Sequence, residues 1–188
     1  RTRSENVPCH IAMTIDGSEV LWRGGIRIAH GGSRGMDIVG SLMYDLRTTG
    51  RWDAPRLFAV DPDTGERKVF FDVDLPMKGI RMGAGGGYAF VSSRPENRLV
   101  WYPVGEDLLE AETIGRTWGV DKIEVEPAGR AEVADPVDVA VDGRGRAYVI
   151  TEGRIMRVLP DGEQSTVIGR KAVTNPYRVA WVRGKKQL

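Results

Sequence analysis

The chain has 188 residues, 41% hydrophobic and 28% charged, which is enough apolar material for one domain with a core and unlike the composition of a disordered segment. Its 27 Lys and Arg interleave with 26 Asp and Glu, so there is no general field to draw in nucleic acid or an anionic membrane. The single cysteine, Cys9, rules out an internal disulfide, and no apolar run approaches the ~20 residues of a membrane helix.

The sequence opens at Arg1 with no initiator methionine and no recognisable signal segment, so further residues are expected to have preceded it. From there the predicted elements are short strands rich in β-branched and aromatic residues, bounded by Gly, Pro or Asp. A first unit begins at Pro8 with "PCHIAM", turns through "IDGSEVLW", and resumes with "RLFAVDPDTGE" and "KVFFDV". Between its second and third strands lies an insertion, residues 24–54, carrying Met36, Ile38, Leu42, Met43, Tyr44 and Trp52. Such apolar residues need cover from the domain itself or from another chain.

A second unit begins at Pro76 with "PMKGIRM", passes through "GAGGGYAFV" and "RLVWYPVGED", and closes with "AETIG". A second insertion follows over residues 116–135 and includes Trp118. The third unit, "PVDVAVDGRGRAYVITEGRIMRVLPDGE" with "STVIG", is the most regular, and a fourth starts at Pro176 and stops at Leu188. "GAGGG" falls where the other units have the turn between their first two strands. Tyr88 stands where a dinucleotide fingerprint needs its third glycine, and a strand follows instead of a helix, so the stretch reads as a hairpin turn and not a phosphate loop.

Pro8, Pro136 and Pro176 each open a P-x-x-[IV]-A-apolar pattern, and Pro136 and Pro176 lie 40 residues apart. Four strands at that pitch predict an all-β fold, a β-propeller of four-stranded antiparallel blades over residues 8–75, 76–135, 136–175 and, in part, 176–188. The third unit resembles a blade of the NHL-repeat propellers and of the related SMP-30/gluconolactonase propellers. A closed ring has about four to eight blades, so the visible units predict an incomplete one, from a longer parent of about six blades by resemblance or with a partner on the open edges.

The two insertions are expected on one face of the disc, together with the starts of the innermost strands. There the residue two after each proline is polar: His10, Lys78, Asp138 and Arg178. This ring is read either as a channel mouth that contacts a ligand or partner, or as the ordinary polarity of strand ends at a solvent-filled channel. Cys9 and His10, adjacent on a strand, point to opposite faces and are poorly placed to act as nucleophile and base. "DPDTGE" resembles a calcium loop in composition only and has the sequence of a tight hairpin.

The resemblance implies, for gluconolactonase-like members, a divalent cation at the channel mouth held by an Asp or Asn just after the strand-opening proline. Here those positions are Cys9, Met77, Val137 and Tyr177, none an oxygen ligand suited to calcium. The reading is therefore a non-catalytic module, without cofactor, that presents loops to a protein partner or within a larger assembly, with Met36, Leu42, Tyr44, Trp52 and Trp118 as partner-loop residues. The alternative is a metal-dependent lactonase-like hydrolase or lyase with a Ca or Zn ion near His10, Asp138 and Glu152. Sequence does not fix the compartment; the resemblance inclines toward a periplasmic or secreted one.

Overall fold

The computed structural model describes residues 11–15, 18–22, 32–48, 53–169 and 179–180, with side chains from residue 34 onward. His10, Trp52 and Arg178 lie outside the described residues. Alternation and β-branching give strands almost throughout. β1 (Ile11–Ile15) and β2 (Ser18–Trp22) form a two-stranded hairpin. Then come β3 (Gly32–Val39), β4 (Leu42–Thr48), β5 (Arg56–Val60) and β6 (Arg67–Asp72), paired antiparallel in sequence order.

The second four-stranded sheet contains β7 (Ile80–Gly85), β8 (Tyr88–Ser93) and β9 (Arg98–Pro103). A short 3-10 helix (Glu106–Glu110) and the hairpin of β10 (Thr113–Thr117) and β11 (Val120–Ile123) intervene before β12 (Gly129–Glu132) pairs with β9. The third sheet is β13 (Pro136–Val141), β14 (Ala147–Thr151), β15 (Arg154–Val158) and β16 (Gln164–Ile168), in sequence order.

These are propeller blades: four-stranded antiparallel sheets stacked face to face, with their first strands next to one another. One apolar layer, built on Leu46, Leu57, Phe71, Ile80, Val91 and Tyr102, fills the space between the first and second sheets. A second, built on Phe90, Trp101, Val139 and Val149, fills that between the second and third. The first strands come close enough that a Cβ at Gly83 would lie 2.8 Å from the Val139 carbonyl oxygen. The Asp37 carboxylate of β3 accepts the Ala84 N–H of β7 at 3.1 Å. Trp101 of β9 donates its indole N–H to the Pro160 carbonyl of the next blade at 3.1 Å.

Two expected boundaries change. The described part of insertion 24–54 is not a loop: β3 and β4 are the inner strands of the first described blade, and β1–β2 form a hairpin sheet of their own. Met36, Ile38, Leu42, Met43 and Tyr44 therefore find their cover inside the disc, since β4 is buried at every position, with both faces of its sheet packed. "AETIG" contributes to a strand, β10, but not to the fourth strand of the second blade, which is β12. Hairpin β10–β11 instead joins the outer edge of the first blade, with β11 parallel to β6, to make a six-stranded sheet.

Candidate functional site

At the mouth, where the innermost strands begin, the described polar residues hold the blades to one another. Arg94, in the β8–β9 turn, makes a bidentate pair with Asp135, which precedes β13; one arm measures 3.2 Å. The Asp135 N–H is accepted by Asn97 Oδ1 at 2.8 Å, and the Val133 N–H by the Asn97 carbonyl at 2.9 Å. Asn97 and Asp135 both have left-handed backbone, φ +51° and +46°, which Asn and Asp tolerate better than most residues. Lys78, from the predicted ring, is exposed beside this clasp in sequence, and the Arg94 N–H is bonded to the neighbouring Gly79 carbonyl at 2.9 Å.

Asp138 is buried, and its carboxylate accepts the Val179 N–H of the following segment at 3.0 Å. That bond is the counterpart of the one from Asp37 to Ala84: in both, an inner-strand carboxylate satisfies a backbone amide of later chain. Glu152 occupies the first position of the two-residue β14–β15 turn, with φ +46° followed by Gly153 at +75°, and forms an ion pair with Arg154 at 3.5 Å. Asp138 and Glu152 thus each have a role in the fold. Met77 is half-buried and Val137 packs against Tyr148, Ile150 and Ile155, so neither brings an oxygen donor to the mouth. Among the described residues no group of three or more His, Cys, Asp or Glu is placed to hold a metal ion.

Two loops with acidic residues are closed by their own backbone. Asp61 Oδ1 accepts the N–H groups of Asp63 and Thr64 at 2.9 and 3.1 Å, as the hairpin reading of "DPDTGE" requires. Asp142 accepts the N–H groups of Arg144 and Arg146 and pairs with the Arg146 guanidinium at 2.6 Å. Burial pushes the Asp142 carboxyl up, but the Arg146 side chain and the two amides outweigh it and hold the group below its ordinary value.

The partner-loop residues separate. Leu42 and Tyr44 are core: both lie in the layer between the first two blades, and the Tyr44 hydroxyl donates to the Gly105 carbonyl at 2.9 Å. Burial drives the Tyr44 phenol up to about 12. Met36 is half-buried against Ile38, Met43, Phe58 and Phe70 on the other face of the same sheet. These three are corrected from loop to sheet. Trp118 is different. It is 66% exposed at the tip of the β10–β11 hairpin, with φ +52° followed by Gly119 at +80°.

Sequence reasoning missed the remainder of this rim. Among the described residues β10 is the outermost strand of the six-stranded sheet, and it carries Ile114, 53% exposed. Behind it runs a cleft of about 360 Å³ lined by Ile114, Phe71, Tyr102, Lys122, Arg130 and the carboxylates Asp72, Asp74, Glu124 and Glu126. Lys122 pairs with Asp72 at 2.6 Å and Arg130 with Asp74 at 2.9 Å. The signal in the sequence was "TIGRTWGVDKI", two strand-like runs around a two-residue X-Gly loop.

The fold is thus that of an all-β propeller. No family model matches the chain, and no curated protein does. Solved structures do match. One is the calcium-binding protein regucalcin from Agrobacterium tumefaciens, 14% identical with a TM-score of 0.39, over 70% of this chain and 47% of that one. Another is a luciferin-regenerating enzyme, 12% identical with a TM-score of 0.43, over 86% of this chain and 57% of that one. The chain spans about half the length of these structures, and at such identities the likeness is one of fold alone. The NHL-repeat resemblance has no counterpart among these two.

Proposed function

We propose that the chain is a binding module that docks a protein partner through the β10–β11 hairpin on the rim of its disc. The observation that carries this reading is Trp118, a bulky residue in left-handed backbone and two-thirds exposed. The first position of a turn with two positive φ values favours Asn, Asp or Gly; a tryptophan there costs on the order of 1 kcal/mol. Strain of this kind, on a large amphipathic side chain two-thirds exposed, suits a binding surface, where tryptophan is enriched among the residues that dominate affinity. The hairpin around it has left the meander of its own blade to extend another, which gives the tip a rigid base.

The test uses Trp118→Asn, which suits the turn better than the native residue. The variant is expected to be at least as stable as the wild type, while the larger native particle that holds the wild-type chain in its source extract is lost. A wild-type chain that runs free in that extract, or a variant that stays in the larger particle, would contradict the proposal.

A further inference from the structure

We infer that the partner contributes an extended segment with Lys or Arg alternating with apolar residues, which adds to the sheet along β10 and lays a basic side chain in the acidic cleft behind Ile114. This rests on the preceding reading of the hairpin as the docking element and specifies what it takes.

The first support is the edge itself. Among the described residues β10 is the outermost strand of its sheet, so its outer backbone N–H and C=O groups face away from β11 and can template another strand. β10 contains no proline. Its one charge, Arg116, is drawn back to Asp121 of β11 at 3.2 Å. The pairing with β11 slips between Thr113 and Gly115, at Ile114, and that residue lines the cleft. Edge and cleft therefore meet at one side chain, which is 53% exposed.

The second support is charge. Residues 106–126 contain seven acidic and two basic residues: Glu106, Asp107, Glu110, Glu112, Asp121, Glu124 and Glu126 against Arg116 and Lys122. Both basic groups are already held, Arg116 by Asp121 and Lys122 by Asp72. Glu124 and Glu126 line the cleft, are exposed, and have no side-chain partner among the described residues. A strand added to β10 projects alternate side chains to the cleft side, and a cation there meets two uncompensated carboxylates. An acidic segment meets them as like charges. The apolar alternates point to the opposite face of the sheet, where Val120 of β11 packs on the layer of Ile38, Met43, Phe58 and Phe70.

The probe is an acetylated, amidated peptide of alternating Lys and Val, titrated into the full chain by calorimetry. Two controls accompany it: a Glu-Val peptide, and the Lys-Val peptide with N-methyl groups on alternate amides. The Lys-Val peptide is expected to bind, roughly tenfold or more tighter than either control. The double variant Glu124→Lys/Glu126→Lys, two changes at exposed positions, should reverse the preference between the charged peptides. Equal binding of the three peptides, or none, would overturn the inference. So would a concentration-dependent dimer of the chain that buries β10, since a second copy would then be its occupant. If Trp118→Asn abolishes the native particle while the peptides fail to bind, the docking hairpin stands and only the partner chemistry falls.

Discussion

The Asp138 carboxylate accepts the Val179 N–H at 3.0 Å across 41 positions of sequence, so this buried polar residue near the start of β13 links one inner strand to the chain that follows. Its place in the predicted ring suggested a ligand group; its burial and its bond make it a structural one. Asp138→Asn keeps an acceptor oxygen and should cost less than about 1 kcal/mol, whereas Asp138→Ala leaves the half-buried Val179 amide without this acceptor and should cost more, about 1–2 kcal/mol. Urea denaturation of both variants, with and without calcium, checks this. A calcium-dependent gain in wild-type stability that Asp138→Asn abolishes would return the residue to the metal-ligand reading.

The glycine stretch between β7 and β8 predicts a graded response. Gly86 and Gly87 form a two-residue turn with φ +55° and +84°. A Cβ at Gly86 would lie 2.0 Å from the Gly145 backbone nitrogen of the next blade, whereas at Gly87 the nearest atom is 4.0 Å away. Gly87→Ala should therefore cost only the left-handed backbone term, about 1 kcal/mol. Gly86→Ala should cost several times more, because backbone must move to admit the methyl. Equal losses in thermal unfolding would contradict the close approach of the two turns.

Acid stability should depend on Asp142. Its folded-state pKa lies below the ordinary 3.8, so on acidification the unfolded chain takes up the proton first. The stabilisation is fully present above the unfolded-state value and is lost as pH falls through the folded-state value. Asp142→Asn should lower stability at pH 7 and flatten the decline below about pH 4. A decline as steep in the variant as in the wild type would show that other carboxylates govern it.

The third blade was legible because its local signals agree. "PVDVAV", "AYVIT" and "RIMRV" became β13, β14 and β15, and the connecting turns carry Gly145, Gly153 and Gly162, all at positive φ. The first blade was not. In "MDIVGSLMYDL" the inner strands are covered on both faces, so β4 lacks the polar alternation that marks a half-exposed strand, and its apolar residues read as a loop in need of cover from the domain or from another chain. Partner choice was the other gap. β12 has only Ala131 buried, a weak signal, while the stronger strand pattern at β10 belongs to another sheet. Propensity identifies a strand but not which edge it joins. Trp118 was singled out as apolar, but its left-handed backbone follows only from the turn that closes β10 on β11.

Amide hydrogen exchange on the chain, free and in its native complex, tests the docking hairpin most directly. In the free chain the outer amides of β10 should exchange rapidly, and in the complex Thr113–Thr117 and the Trp118 turn should be protected. A complex that leaves the hairpin unchanged while residues 94–98 and 151–154 at the mouth become protected would contradict the account and place the binding surface there.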